Sequence, residues 1–221
     1  SNPDFAVLLS SSPLGRSVYA ATGSAGSIAS GRLSYVLGMQ GACAMIDTAC
    51  SAGLVAASFA HGALALREAE DAVVMAVNLV LSSEGAHTPF AVAGMTSAQG
   101  KCHSFDARAD GYVRSEACGA TALRRSVDVR GVVLAGGVVR CDGKSASLTA
   151  PNGRAQQVLI RAALTASRVA AASVQCVEAH GTGTALGDPI EARSVSSVLG
   201  TGVGRSEGEG VVSLTAFSAR V

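Results

Sequence analysis

The chain has 221 residues, 48% hydrophobic and only 15% charged, a composition that suits a compact globular domain with a large core, or a piece of one. Its net charge of +1 leaves no electrostatic case for nucleic acid or an anionic membrane. No apolar run reaches the length of a membrane span, and the N-terminus has no signal-peptide pattern. Gly is abundant at 26 residues, aromatics are 4% and Trp is absent, which fits thin helices packed closely on sheets.

Taken in chain order, residues 1–25 carry few periodic signals and read as the tail of something upstream. Ser27 to Leu37 reads as a short helix. Ala42 to Asp47 (ACAMID) predicts a short buried strand, and 51–69 a long helix with Leu54, Val55, Ser58, Phe59, Gly62, Ala63 and Leu66 at helical spacing. Asp71 to Val77 predicts a second buried strand. Residues 78–116 are Gly-rich and polar, with Phe90, Met95 and Phe105 as expected anchors. Ala117 to Leu123 and Gly131 to Arg140 read as neighbouring strands. Asp142-Gly143 and Pro151-Asn152-Gly153 lead into a helix over 154–168, and Val174 to Glu178 is a strand that delivers His180. Pro189 to Leu199 predicts another helix, with Pro189 acceptable in its first turn. Residues 200–210 form the one expected flexible loop. The order is mixed α/β, with strands expected to be buried on both faces of layered sheets.

Six cysteines stand at positions 43, 50, 102, 118, 141 and 176, none paired as C-x-x-C. Cys176 and His180 are four apart with no second ligand pair, which argues against zinc. Free thiols fit a reducing compartment.

Cys50 lies in Asp47-Thr48-Ala49-Cys50-Ser51-Ala52, where the apolar strand meets the long helix. At a helix start, unpaired N–H groups and the positive dipole end favour an anion, which suits a nucleophilic thiolate. The bland alternative is a small buried hydrophobe. The second constellation, Glu178-Ala179-His180-Gly181-Thr182-Gly183-Thr184, follows a strand and enters a Gly-rich turn. Gly181, Gly183 and Gly187 permit close backbone approach to a ligand, and the Thr182 and Thr184 hydroxyls, two apart, face one side of an extended segment. A histidine beside two hydroxyls suits an amide-bearing ligand and a proton exchange. As a phosphate loop the segment fails, because it is not G-x-G-x-x-G and no G-K-[ST] follows.

Together, Asp47 to Ser51 and Val177 to Ala192 (VEAHGTGTALGDPIEA) resemble the β-ketoacyl synthase family, in particular ketosynthase domains of modular polyketide synthases. Other segments agree in the same order: Thr22-Gly23 with Ser27 to Tyr35, Phe105 to Arg114 (FDARADGYVR), and Leu148 to Gly153 (LTAPNG). The resemblance covers roughly residues 19–200. It implies a thiolase-like fold, α/β in α-β-α-β-α layers and present here in part. About 1–125 would come from the N-terminal half and about 126–221 from the start of the C-terminal half. It implies that Cys50 accepts an acyl group from the phosphopantetheine arm of an acyl carrier protein. A malonyl-type extender then decarboxylates and attacks the thioester. His180 assists decarboxylation, Thr182 and Thr184 bind the pantetheine amides, and Glu191 orients a lysine and steadies the site. Ser51 supports the nucleophile turn. No cofactor or metal is bound directly. The partners implied are the carrier protein, acyl and malonyl-type thioesters and a second copy in a homodimer, with a cytoplasmic location, or a plastid one if a transit peptide lies elsewhere.

The sequence departs from the family pattern in places. The family's second catalytic histidine lies in a K-x-x-x-G-H segment, and residues 205–221 contain neither Lys nor His. The late Gly-Phe-Gly loop is not found either. His61 is eleven residues from Cys50 on the same expected helix, roughly 16 Å away and out of proton-transfer reach. His87 and His103 fall in irregular sequence. The usual Ser-Ser after Cys-Ser is Ala52-Gly53, and Gly-Glu-Gly-Cys-Gly is Ser115-Glu116-Ala117-Cys118-Gly119. The missing second histidine motivates an alternative, a truncated, non-condensing ketosynthase-like protein or scaffold subunit. A thiol hydrolase needs a Cys–His pair with a third orienting group, and the His180 flank is not built for that.

Overall fold

The computed structural model describes residues 3–126, 131–200 and 213–215. They belong to two compact units, one drawn from residues 1–89 and 115–132, the other from 90–114 and 133–221.

The first unit begins with α1 (Pro3–Ser10), a 3₁₀ turn at Pro13–Arg16, α2 (Ala20–Ser24) and α3 (Gly26–Leu37). The first 25 residues, read as nearly signal-free, are therefore largely helical; these helices are too short for hydrophobic periodicity to show. Helix α3 ends at Gly38, whose φ of 65° closes the last turn. A 3₁₀ turn at Ala49–Ser51 precedes α4 (Ala52–Ala65). Arg67 then takes φ 63°, and the Glu68 N–H reaches the Ala63 carbonyl at 2.9 Å, ending the helix four residues before the expected limit. Helix α4 packs on β1 (Asp71–Asn78), and Val55, Leu64 and Val74 are the buried apolar residues there. A short α5 (Ser83–Ala86) follows.

Strand β1 pairs antiparallel with β2 (Ala117–Arg124), from Asp71 opposite Arg124 to Asn78 opposite Ala117. Both ends of this ribbon are pinned by side chains. Arg124 holds Asp71 through two bonds of 2.5 and 2.8 Å. At the other end Asn78 Nδ2 donates to the Ser115 carbonyl at 2.5 Å, and Glu116 accepts the Val80 N–H at 2.8 Å.

Three expectations are corrected here. Residues 42–47 and 131–140 form no strand ladder among the described residues, and 42–47 is mostly exposed. An apolar run becomes a strand only where another strand accepts its hydrogen bonds, and no described segment pairs with either run. Strands β1 and β2 are not buried on both faces; of β1 only Val74 is buried.

The second unit contains α6 (Thr88–Val92, which spans the division), a long loop, α7 (Gly153–Ser167), a 3₁₀ turn at Ala171–Ser173, β3 (Cys176–Glu178), α8 (Gly187–Leu199) and β4 (Ser213–Thr215). Strands β3 and β4 pair in parallel, Cys176 with Ser213 through Glu178 with Thr215. Asn152 caps α7: its Oδ1 accepts the N–H groups of Arg154 and Ala155 at 3.1 and 3.2 Å. Its own backbone N–H goes to Asp142 at 2.9 Å, so the two predicted turn segments are one joined structure. Helix α7 packs on α8, where Val195 and Leu199 are buried and the Ser194 hydroxyl reaches the Ile190 carbonyl at 2.7 Å.

Of the expected anchors, Phe90 is half-buried with the Arg114 guanidinium 4.7 Å above its ring. Met95 and Phe105 are 36% and 37% exposed and do not serve as core residues. The expected flexible stretch lies outside the described residues except for Gly200.

Candidate functional site

Cys50 sits in the 3₁₀ turn, two residues ahead of α4, rather than on the helix itself. The turn is tight: Ala49 has φ 53°, and its N–H bonds to the Asp47 carboxylate at 3.3 Å. Ser51 precedes α4 but its hydroxyl does not cap it; Oγ lies 2.9 Å from both the carbonyl and the hydroxyl oxygen of Thr48. Ser51 therefore gives the start of α4 no side-chain cap, the Ala52 N–H turns back to the Ala49 carbonyl, and Cys50 is exposed beside this first turn. Gly53 lies against β1, where an added Cβ would stand 3.2 Å from that of Ala76. The Ala52-Gly53 departure thus places a small residue at a close helix–strand contact. Ala117, the other departure, is exposed at the start of β2.

The histidine loop belongs to the second unit. Strand β3 ends at Glu178, and Gly181 and Gly183 then take φ values of 48° and 77°, which side chains disfavour. Glu191, one turn into α8, reaches back to the loop. Its Oε1 accepts the His180 N–H at 2.7 Å and its Oε2 the Gly181 N–H at 2.8 Å. The backbone is held and the His180 side chain is left exposed. The Thr182 and Thr184 hydroxyls lie 3.4 Å apart, and Thr184 Oγ1 accepts the Gly187 N–H at 3.2 Å.

The close approach expected at these glycines is made by the chain itself. A Cβ on Gly183 would stand 2.8 Å from the backbone nitrogen of His103. Segment 102–112 backs the loop: the Ser104 hydroxyl donates to the Gly181 carbonyl, and the Gly111 N–H donates to the Gly183 carbonyl at 2.9 Å. Asp188 is only 3% exposed. It accepts the Phe105 N–H at 2.8 Å, the Gly183 N–H at 3.1 Å and the Thr184 N–H at 3.2 Å. Within the same segment Arg108 grips Asp106 through both guanidinium and backbone, holding that carboxyl well below the usual carboxylate range.

The sequence points to Cys50, Ser51, His180, Thr182, Thr184 and Glu191. The structure brings the last four together in one unit, and Cys50 with Ser51 stands in the other. It adds Asp188, Ser104 and Phe105, whose contacts span up to 83 residues and have no local sequence signal beyond an acidic residue in the first turn of α8. Among the described residues no three His, Cys, Asp or Glu side chains are grouped to hold a metal ion. No helix among them is long and apolar enough to cross a membrane.

The β-ketoacyl synthase N-terminal domain model matches residues 5–128, and the β-ketoacyl synthase C-terminal domain model matches 132–214. The chain belongs to the β-ketoacyl synthase family. A phenolphthiocerol/phthiocerol polyketide synthase component of Mycobacterium tuberculosis is 45% identical over 201 residues, covering 88% of this chain and 9% of that protein. Polyketide synthase GfsB of Streptomyces halstedii is 44% identical over 204 residues, 89% of this chain and 4% of that protein. The ketosynthase from module 6 of the Bacillus subtilis 168 bacillaene synthase, in a mutant form, superposes with a TM-score of 0.78 at 34% identity over 88% of this chain and 35% of that one. The oxazolomycin ketosynthase domain OzmH KS7 of Streptomyces albus JA3453 gives 0.76 at 32% identity over 87% and 35%. The fold is thus the thiolase-like fold of ketosynthases, in part, and the chain spans about a third of those solved chains and under a tenth of the curated relatives.

Proposed function

We propose that this chain supplies the nucleophile and one histidine of a ketosynthase that extends acyl chains in polyketide synthesis. The observation that carries the reading is Cys50 beside the uncapped start of α4. There the Cys50 thiolate attacks an acyl thioester carried on a phosphopantetheine arm. The carbon–sulfur bond to the arm breaks, the arm leaves as a thiolate, and the acyl group is joined to Cys50. The oxyanion formed in that step is met by the Cys50 backbone N–H at the helix start. A malonyl-type thioester then loses carbon dioxide, and His180 donates to the enolate oxygen. The enolate carbon attacks the Cys50 thioester, expels the Cys50 thiolate and gives a β-ketoacyl thioester two carbons longer.

Thr182 and Thr184 hold the pantetheine amides in this reading, and Glu191 fixes the loop that carries them. The family's second histidine has no counterpart in residues 205–221, and the proposal assigns its role to none of them. The domain division at about residue 125, the carrier protein as partner, and the homodimer belong to the same proposal. A cytoplasmic location accompanies it; the similar relatives named above are bacterial, which leaves the plastid alternative without support. The non-condensing alternative rested on residues 205–221, of which only 213–215 are described, paired with β3.

The test is carbon dioxide release from a malonyl thioester by the synthase carrying this sequence. His180→Ala lowers it by at least about a hundredfold, the range of a lost catalytic proton donor. Unchanged release contradicts the role of His180.

A further inference from the structure

We propose that Asp188 is a positioning residue that sets the geometry of the substrate-binding hydroxyls by fastening segment 102–112 to the back of the His180–Thr184 loop. The inference rests on the reading of Thr182 and Thr184 as the contacts to the pantetheine arm.

A carboxylate buried to 3% exposure is costly unless its oxygens are hydrogen-bonded. Asp188 meets that demand with backbone donors from two separate segments: Gly183 and Thr184 on the loop, and Phe105 on the segment behind it. Phe105 takes φ 58°, a left-handed conformation that persists in a bulky residue only where its surroundings impose it. Its N–H on Asp188 is one such constraint.

The consequence lies in which polar groups stay available. The N–H groups of Gly181, Gly183 and Thr184 are taken by Glu191 and Asp188. The carbonyls of Gly181, Gly183 and Thr184 are taken by Ser104, Gly111 and the Asp188 N–H. These backbone groups of the loop are engaged by Glu191, Asp188 and segment 102–112, and the Thr182 and Thr184 hydroxyls and the exposed His180 ring are side-chain groups that the loop offers a ligand. Asp188 touches no substrate. It fixes the frame on which those hydroxyls stand 3.4 Å apart.

Asp188→Asn exchanges one acceptor oxygen for an amide group that confronts N–H donors. The experiment compares two extenders on the whole synthase: malonyl-pantetheine thioester, with two amides, and malonyl-N-acetylcysteamine thioester, with one. Asp188→Asn raises KM for the first about tenfold, the order expected for one lost hydrogen bond to a charged group, and for the second by less than about threefold. Ser104→Ala, which removes a different bond of the same junction, the one from segment 102–112 to the Gly181 carbonyl, shifts the ratio the same way by about threefold, and carries the test if Asp188→Asn does not fold. An equal loss on both extenders, or an unchanged ratio in both variants, overturns the proposal. Thr182→Val with Thr184→Val is the separate control: if that pair leaves the ratio unchanged, the underlying reading of the threonines fails. If the pair moves the ratio and the Asp188 and Ser104 variants do not, only the role of Asp188 fails.

Discussion

Glu191 accepts the backbone N–H of His180 at 2.7 Å, and its second oxygen takes the next N–H along at 2.8 Å. One side chain on α8 therefore fixes where the histidine leaves the backbone. Its removal leaves two donors without a charged acceptor, at about 1.5–3 kcal/mol each. Glu191→Ala should lower carbon dioxide release from malonyl thioester by about 10–100-fold, with Glu191→Gln, which keeps one acceptor oxygen, falling between. Alkylation of Cys50 should be unchanged in both. Carbon dioxide release at the parent rate in Glu191→Ala would show that the clamp has no part in the chemistry.

Cys50 should react with iodoacetamide faster than the other five cysteines. Exposure does not predict this, since Cys43, Cys118, Cys141 and Cys176 are exposed too. The difference expected is chemical: Cys50 lies in the turn that leads into α4, a helix start that its N-cap residue Ser51 leaves without a side-chain cap. Peptide mass spectrometry after a short labelling pulse measures it, and equal labelling at the exposed sites speaks against an activated thiol.

Gly183→Ala should disable the histidine loop. A left-handed Ala costs about 1–2 kcal/mol. The new Cβ would also stand 2.8 Å from the His103 backbone nitrogen, which has no flexible end to give way. Segment 102–112 must then move off the loop. Steady-state kinetics should show loss of carbon dioxide release, and hydrogen exchange should show faster opening at Gly111, whose N–H bonds to Gly183.

Asn152→Ala removes the cap of α7 and should lower stability by about 1 kcal/mol. It also releases the Asp142 loop, since the Asn152 side chain donates to the Asp142 carbonyl at 3.1 Å. Denaturant unfolding checks the size, and a midpoint unchanged within error would contradict it.

The Asp71–Arg124 pair closes one end of the β1–β2 ribbon, and the Arg124 guanidinium holds the Asp71 carboxyl below its ordinary value. A depressed carboxylate stabilises the folded state above the unfolded pKa of about 3.9 and loses that contribution as pH falls through the lower folded value. Asp71→Asn should therefore be less stable than the parent at pH 7, with the difference closing below about pH 4. The same difference should shrink in high salt, since both side chains are exposed. A difference that grows toward acid pH would have the wrong sign.

Helices α3, α4, α7 and α8 were legible because apolar spacing and end signals are local: Gly38 stops α3, Asn152 caps the start of α7 and Pro189 sits in the first turn of α8, each acting within a turn of where it stands. The apolar run 42–47 was equally visible, but whether it becomes a strand depends on a distant partner. The motif residues of the site were legible as motifs. Thr182 and Thr184 do stand together, and Glu191 does reach the loop. Asp188 was not, because its function is fixed by Phe105, 83 residues away, and burial of a carboxylate leaves no mark on the residues beside it. The glycines of the loop were assigned to ligand approach, whereas Gly183 is small because His103 is there.

The central claim is that Cys50 takes the acyl group. Incubation of the synthase with an acyl thioester, followed by digestion and mass spectrometry, tests it directly. The account predicts an acyl adduct on the peptide bearing Cys50, and none there in Cys50→Ala. An adduct on another cysteine, or an unmodified Cys50 when acyl thioester is supplied without a malonyl extender, would contradict it.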